Sequence, residues 1–589
     1  MKAIILAAGY GNRMRPLTDR IHKTLLDVGG ETILSRIIDG LVASEVTDIV
    51  MVTGFAADQL REYLTAHYPR VAFTYVHNEK YRETNNIYSL ALAFDSVEIN
   101  SEVIVIESDL IYHPEIISQL IANPHPNVAL VDRFRSGMDG TVVTVENGVI
   151  TSVIPPHLQG ERFDFSDKYK TLNIYKFSRE FCQTSFKKLL SYYAHAIDDN
   201  CYYELILGIL IYMQREIVYA GIVNSPWAEV DDPNDLAVAQ FVFNRDRLQI
   251  LENGFGGFWN YDLLDFCFIR NMYFPHSSII SEMKNNLANL IHNYGSRQVV
   301  LNTKMSWFLL CNSERVVALN GASQIYPVLR ELYQGKKVLL PTPTFNEYNR
   351  IFPGATTYRD EVGIDAGALR EQMASHDCIV FVNPNNPTGS TLPTQWLYDT
   401  AAAEPAKVFI VDESFIEFAG QPSIITLLEE KPLANIIVVK SLSKSLGVPG
   451  IRLGYAYCCD PGFIGEVMAR TPIWNMNSLA EFTLEIILKH RMTLKKSIAL
   501  TVRDREQFAA DLAKVGLVDR VYPSGANFIL LRLRQGVSAR QVVERMLSEH
   551  SVYLKDISDK FADGGEYLRL AVRLPHENRM AVDLLESLA

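Results

Sequence analysis

A chain of 589 residues exceeds one ordinary domain, and a composition that is 48% hydrophobic and 21% charged excludes a disordered or fibrous polymer. The net charge of −12 excludes a broad phosphate-backbone footprint, so nucleic acid is not an expected partner. The acidity lies ahead of residue 250, where 22 Lys and Arg face 32 Asp and Glu, so any phosphate binding there has to rest on a few local cations or a metal.

Taken in chain order, residues 3–6 read as a buried strand, 9–15 as a glycine-bearing loop, 33–42 as an amphipathic helix and 48–52 as a second strand. Further strands at 71–76, 103–106 and 128–131, with a helix at 87–94, extend this βαβ start into a mostly parallel sheet. Gly254, Gly256 and Gly257 mark residues 244–261 as the linker candidate, dividing the chain into domains over 1–245 and 263–589 with a linker over 246–262. Strands at 338–340, 379–382, 408–411 and 436–439, separated by helical lengths, predict a second, independent α/β domain. Seven cysteines, odd in number and without CxxC spacing, suggest neither a zinc ribbon nor a disulfide framework and fit a reducing cytosol. The apolar run after Lys2 is too short for a signal peptide and no run of about 18 apolar residues occurs, so a soluble cytoplasmic protein without membrane contact is expected.

The loop string Leu6-Ala7-Ala8-Gly9-Tyr10-Gly11-Asn12-Arg13-Met14-Arg15-Pro16-Leu17-Thr18 lets backbone N–H groups approach an anionic or nucleobase ligand, with Arg13 and Lys23 available as positive charge. It has neither the Walker spacing nor the third glycine of a dinucleotide fingerprint, and its glycines alone are equally compatible with a structural turn. The full string resembles the signature of the nucleotidyltransferase family that includes sugar-phosphate nucleotidyltransferases and phosphocholine cytidylyltransferases. That resemblance implies that Leu6, Ala8, Gly9 and Gly11 hold the nucleotide and that Arg13 and Lys23 stabilise the triphosphate as pyrophosphate leaves. His22 stands where the family usually has proline and is expected to loosen the loop.

The same resemblance maps one Mg²⁺ ligand to Asp109, in Glu107-Ser108-Asp109, and one to Asp231, in Glu229-Val230-Asp231; hard oxygen ligands suit that ion. By residue type alone Asp109 is equally a strand-end carboxylate, and Asp232 before Pro233 reads as a solvated or capping residue. The segment Asn78 to Leu90, with Asn85-Asn86-Ile87-Tyr88-Ser89, resembles the phosphocholine-type branch. This implies CTP and a small acceptor carrying a phosphate or phosphonate plus an amine, with Asn85 at the nucleotide as well as capping a helix. Lys170 and Asn173 are candidate contacts to acceptor or phosphates.

Asn383-Pro384-Asn385-Asn386-Pro387-Thr388-Gly389 alone says only loop, but it is followed in order by Asp412-Glu413-Ser414-Phe415, Ser441-Leu442-Ser443-Lys444 and Gly450-Ile451-Arg452. The ordered set resembles the fold-type I pyridoxal-phosphate enzymes, nearest to histidinol-phosphate aminotransferase and threonine-phosphate decarboxylase. The resemblance implies that Lys444 carries the cofactor covalently and Asp412 keeps its pyridine nitrogen protonated. It also implies that Asn386 bonds the ring hydroxyl, Phe345 stacks on the ring, and Ser323, Ser441, Ser443 and Arg452 hold the cofactor phosphate. Phe415 replaces a tyrosine found in many relatives, which removes one hydrogen bond to the ring hydroxyl. Tyr294 matches a residue that reaches the neighbouring subunit's cofactor, implying a homodimer, and Arg569 stands where a substrate α-carboxylate is gripped.

The two resemblances cover nearly the whole chain and imply an α/β fusion: a Mg²⁺-dependent cytidylyltransferase followed by a pyridoxal-phosphate decarboxylase or aminotransferase. The fusion itself resembles the enzymes of fosmidomycin-type phosphonate antibiotic synthesis, which implies that 2-amino-4-phosphonobutyrate is cytidylylated and decarboxylated. Two alternatives stay open on the sequence: a true aminotransferase as the second domain, and a CTP-sensing first domain without turnover.

Overall fold

A computed structural model describes every residue except 136, 161, 162 and 362. The chain divides into two units, Met1–Asp262 and Leu263–Ala589. In the first, strand Lys2–Ala7 pairs in parallel with Asp48–Thr53 on one side and Val103–Glu107 on the other. Its side chains alternate between two apolar layers, Ala3, Ile5 and Ala7 on one face and Ile4 and Leu6 on the other, as the period-two geometry of a strand requires. The helix Ile33–Ala43 packs Leu34, Ile37, Ile38 and Leu41 into the first layer, and the Thr32 hydroxyl caps it by accepting from the Ser35 N–H at 3.0 Å.

The full sheet has nine strands, in the order Ala72–His77, Asp48–Thr53, Lys2–Ala7, Val103–Glu107, Tyr169–Phe177, Val128–Arg133, Tyr219–Ile222, Val149–Ile154 and Val142–Glu146. Only part of it is parallel, against the expectation of a mostly parallel sheet. Tyr169–Phe177 inserts antiparallel between Val103–Glu107 and Val128–Arg133, and a hairpin closes the far edge at Asn147-Gly148, both at positive φ (50° and 78°). Residues 246–262, expected as a linker, are folded. Asp246 caps the helix Arg247–Gly254 by accepting from the Gln249 N–H at 3.1 Å, and Leu248 and Leu251, one turn apart, are buried. The glycines fall at the end of that helix and beyond it.

The second unit is built on a seven-stranded sheet in the order Val316–Leu319, Gly454–Cys458, Ile436–Ser441, Val408–Asp412, Cys378–Val382, Val338–Thr342 and Thr356–Arg359. Gly454–Cys458 runs antiparallel to both its neighbours, and the other adjacent pairs are parallel. Asn383, Asp412 and Ser441 stand at the carboxyl ends of adjacent parallel strands, where open α/β sheets place their ligands. A four-stranded antiparallel sheet, Val518–Val521, Phe528–Leu533, Tyr567–Ala571 and Lys555–Asp556, carries Arg569. Among the described residues no helix is long and apolar enough to cross a membrane.

Candidate active sites

In the first unit, Asp109 and Asp231 are 122 positions apart and are joined by a short ribbon. Strand Leu110–Tyr112 pairs antiparallel with Trp227–Glu229, and the Val230 N–H donates to the Asp109 carbonyl at 2.8 Å. Both carboxylates converge on Lys23, whose Nζ lies 3.0 Å from Asp109 Oδ2 and 3.0 Å from Asp231 Oδ1; Arg13 Nη2 lies 2.6 Å from Asp231 Oδ2. A cavity of about 420 Å³ is lined by Leu6, Ala8, Gly9, Gly11, Arg13, Lys23, Asn85, Asp109, Lys170, Asn173 and Asp231, so the sequence-derived residues of this unit share one site. Gly11 takes φ 64°, a left-handed conformation that favours glycine, in the turn leading to Arg13. Asn85 caps the helix Asn86–Ser96, and Asp232 caps Pro233–Phe243 in a capping box with Asp235.

His22, expected to loosen the loop, is anchored at two points. Its Nδ1 accepts from the Thr24 N–H at 3.2 Å and so caps the turn Lys23–Leu25, while its own N–H donates to Gln59 Oε1 at 3.1 Å. Burial, then the Lys23 charge, holds its pKa down at about 4, so the ring is neutral and performs the anchoring that proline would supply by stiffness.

Electrostatics favour the ionised forms of Asp231 and Lys23. Burial would raise the Asp231 carboxyl, but Lys23 and Arg13 outweigh it and its pKa stands below the ordinary value. Burial likewise opposes the charge on Lys23, and Asp109 and Asp231 overcome it. Among the described residues no group of three or more His, Cys, Asp or Glu is arranged to hold a metal. The pair Asp109 and Asp231 nonetheless fits Mg²⁺, because Asp109 Oδ1 is buried with no hydrogen-bond partner among the described residues, and this ion normally takes one or two carboxylates with substrate phosphates and water completing the shell.

Three glutamates that the sequence reading passed over line the same cavity: Glu107, Glu204 and Glu229. Glu229 Oε2 pairs with Lys170 Nζ at 3.1 Å, and Asn86 Nδ2 donates to Glu107 Oε1 at 2.9 Å. Burial raises all three pKa values, that of Glu229 to about 7. Two of them carried a legible signal: Glu107-Ser108-Asp109 and Glu229-Val230-Asp231 are each a Glu-x-Asp at a strand end, a spacing that turns both carboxylates to one side. Glu204, the first residue of helix Glu204–Tyr212, had none.

In the second unit Lys444 sits in the four-residue helix Leu442–Ser445 that follows strand Ile436–Ser441. Burial, then the charges of Arg569 and Arg452, lowers its pKa to about 8 against the opposing charge of Asp412. Asp412 is 4% exposed and held on both oxygens: Oδ1 accepts from the Ser414 N–H at 3.0 Å and hydroxyl at 2.6 Å, Oδ2 from the Tyr348 hydroxyl at 2.8 Å. Arg452 Nη2 donates to Ser323 Oγ at 3.1 Å across Gly321, where an added Cβ would lie 2.5 Å from the guanidinium. Ser323 lies in the helical turn Ala322–Gln324 that leads into Ile325–Leu332, Ser441 stands at the N-cap position of the Lys444 turn without a side-chain cap hydrogen bond, and Ser443 Oγ is buried with no partner among the described residues.

Arg569 Nη1 donates to Asn386 Oδ1 at 2.8 Å and Nη2 to the Cys267 carbonyl at 2.6 Å; its Nε is buried with no partner among the described residues. Phe345 is 37% exposed at the start of Asn346–Ile351. Phe415 packs edge-on against Phe528 in an apolar cluster, so the hydroxyl of a tyrosine there is replaced by packing. Tyr294 stands apart, 78% exposed and stacked on Trp474. These residues fit pyridoxal phosphate. The Arg452, Ser323 and Gly321 cradle and the orphan Ser443 hydroxyl suit its phosphate, Asp412 its pyridine nitrogen, and Lys444 its carbonyl carbon. Lys560 was not anticipated: its Nζ donates to the Thr344 carbonyl at 2.8 Å and Asn346 Oδ1 at 2.7 Å, and burial, then Arg569, lowers its pKa to about 8.

Residues 266–585 match the family model for class I and II aminotransferases, and residues 3–162 match that of the MobA-like NTP transferase domain. The chain is 30% identical to the CMP-5'-(3-aminopropyl)phosphonate synthase of Streptomyces rubellomurinus over 99% of its own length and 94% of the relative's. It is also 30% identical to the L-serine phosphate decarboxylase of Sulfurospirillum multivorans over 55% of its length and 88% of the relative's. A solved decarboxylase from Sulfurospirillum multivorans superposes with a TM-score of 0.51 at 28% identity, covering 58% of this chain and 91% of that one. The chain therefore belongs to the class I and II aminotransferase family, with an NTP transferase domain ahead of that part, and is a nucleotidyltransferase fused to a pyridoxal-phosphate enzyme of the decarboxylase and aminotransferase kind.

Proposed function

We propose that the first unit transfers CMP from CTP to a phosphonate or phosphate oxygen of a small aminoalkyl acceptor, and that the second decarboxylates the amino-acid moiety. The overall conversion would take 2-amino-4-phosphonobutyrate to CMP-3-aminopropylphosphonate. The observation that carries this reading is the pairing in one chain of a Lys23-bridged carboxylate site with a Lys444–Arg569 site, in a chain alignable with the aminopropylphosphonate synthase over 94% of that relative.

In the first unit the acceptor oxygen forms a bond to the α-phosphorus as the bond to the β-phosphate oxygen breaks and pyrophosphate leaves. Arg13 and Lys23 offset the charge on the departing group, Asp109 and Asp231 would hold Mg²⁺, and the Leu6 to Gly11 loop with Asn85 would seat the nucleotide. Lys170 and Asn173, both directed at Glu229, would orient the acceptor.

In the second unit pyridoxal phosphate, when bound, supplies an electron sink for the bond broken at the substrate Cα. Arg569 would bind a substrate anion through a guanidinium that no protein carboxylate occupies among the described residues, with Lys560 adding charge nearby. Asn386, fixed by Arg569, would bond the ring hydroxyl, and Phe345 would cover the ring face. Lys444 Nζ, with its pKa near 8, can hold and return the proton that replaces the lost carboxylate. Homodimer formation through the second unit, with Tyr294 reaching the partner's site, belongs to the same reading and is supported by its exposure.

The test is incubation of the full chain with each of four NTPs and 2-amino-4-phosphonobutyrate, with pyrophosphate, CO₂ and products measured by mass. CTP-dependent pyrophosphate release with one CO₂ per turnover is expected. A keto acid without CO₂ would make the second unit an aminotransferase, and the absence of pyrophosphate release with any NTP would reject the first unit's assignment.

A further inference from the structure

The cations that line the cavity of the first unit already have carboxylate partners. Arg13 and Lys23 are taken by Asp231 and Asp109, and Lys170 by Glu229. Glu107 and Glu204 line the same cavity and make no ion pair among the described residues. Glu204 is 3% exposed, and its Oε2 has no hydrogen-bond partner among the described residues. One residue, Asn86, ties this wall together: its amide donates to Glu107 Oε1 at 2.9 Å, and its Oδ1 accepts from the Tyr203 N–H at 3.0 Å, next to Glu204 in sequence. Two buried carboxyl groups on one cavity wall, one with an oxygen left unpartnered among the described residues, present acceptors that a cationic N–H donor can fill.

We infer that Glu107 and Glu204 form an ammonium pocket in the nucleotidyltransferase unit that restricts acceptors to those bearing a primary amine on the short chain that carries the phosphonate or phosphate. The inference rests on the proposed nucleotidyl transfer and adds to it which group of the acceptor is read and by which residues. A primary ammonium brings three N–H donors to carboxylate oxygens that lack them. A quaternary ammonium brings none and is recognised by aromatic faces instead. A neutral hydroxyl in its place brings a single donor and no charge. The same reading orients the acceptor: its phosphonate belongs with Lys23 and Arg13, its amine with Glu107 and Glu204.

The experiment compares 3-aminopropylphosphonate, 3-hydroxypropylphosphonate and the N,N,N-trimethyl derivative of the amine as acceptors for the full-length protein, reading pyrophosphate release from CTP. The amine is expected to exceed both analogues at least about tenfold in kcat/KM, because a site built around hydrogen bonds discriminates strongly against a ligand that cannot supply them. Glu204→Gln is expected to bring the preference to within about threefold, through KM for the amine and with KM for CTP unchanged. Equal use of the three acceptors by the wild-type protein, or an undiminished preference in Glu204→Gln, overturns the pocket while leaving nucleotidyl transfer standing. If no acceptor releases pyrophosphate, that reading falls instead, and calorimetric titration of the same three compounds with and without an α,β-methylene CTP analogue still decides the pocket. A nucleotide-dependent preference for the amine supports it, and its absence overturns it. The wild-type series needs no variant to fold.

Discussion

The two sites treat their cations in opposite ways. In the first unit Arg13, Lys23 and Lys170 are each paired with a carboxylate, so the protein's positive charge is neutralised before any ligand arrives. In the second, among the described residues, Arg569 donates only to an amide and a carbonyl oxygen, and Lys560 likewise, and the Arg569 charge, after burial, lowers the pKa values of both Lys560 and Lys444. The difference follows from what each has to hold. A triphosphate binds with a divalent ion, and carboxylates that serve the ion also keep nearby cations in place. A small carboxylate or phosphonate substrate has to be matched by protein charge directly, and unpaired buried guanidinium is the group that does so.

The sharpest way to break this comparison is to silence one site and read the other. Lys444→Ala is expected to lower CO₂ release by at least about 10³-fold, since covalent attachment has no substitute in the site, with pyrophosphate release retained. Asp109→Ala should do the converse, lowering pyrophosphate release on the order of 10²-fold or more while CO₂ release continues, and EDTA should mimic it. Loss of both activities in either variant would mean that the two sites are not separable as described.

A smaller effect is expected from Arg569→Ala. Removing one member of a buried charge-recognition pair costs at least about 2 kcal/mol, so KM for the amino-acid substrate should rise roughly 30-fold or more. KM for CTP should not move. An unchanged amino-acid KM would assign the carboxylate to Lys560 instead, which steady-state kinetics of Lys560→Ala would then show.

What the sequence made legible and what it hid divide along the same line. Arg13, Lys23, Asp109, Asp231, Asp412, Lys444 and Arg452 lie in short strings whose spacing is set by one turn or one strand end, and such local geometry is written in adjacent residues. Glu107 and Glu229 were readable as matching Glu-x-Asp pairs. Glu204 and Lys560 were not, because each reaches its site from an element brought there by distant packing: Glu204 from the start of a helix far along the chain from Glu107, Lys560 from the segment before Tyr567–Ala571. The sheet shows the same limit. The Asn147-Gly148 hairpin is local and carries its own signal, whereas the antiparallel insertion of Tyr169–Phe177 is a non-local pairing that alternation along the chain does not report.

The smallest expected effect tests the electrostatics of the unpaired site most directly. An amine reacts with the cofactor's carbonyl carbon only when neutral, and an ordinary lysine at pH 7 is neutral in well under about 1% of molecules. With its pKa lowered to about 8 by burial and then by Arg569 and Arg452, Lys444 is neutral in about a tenth of molecules at pH 7 and in most of them at pH 9. The rate at which cofactor-free protein takes up pyridoxal phosphate should therefore rise roughly tenfold from pH 7 to 9 and level off, as stopped-flow absorbance would record. Arg569→Gln removes one of the charges that holds the pKa down, so its plateau should shift to higher pH; Arg13→Gln, in the other unit, should leave the profile where it was. A wild-type rate still climbing past pH 10 would place Lys444 in a site without uncompensated positive charge, and the contrast between the two sites would fail at that residue.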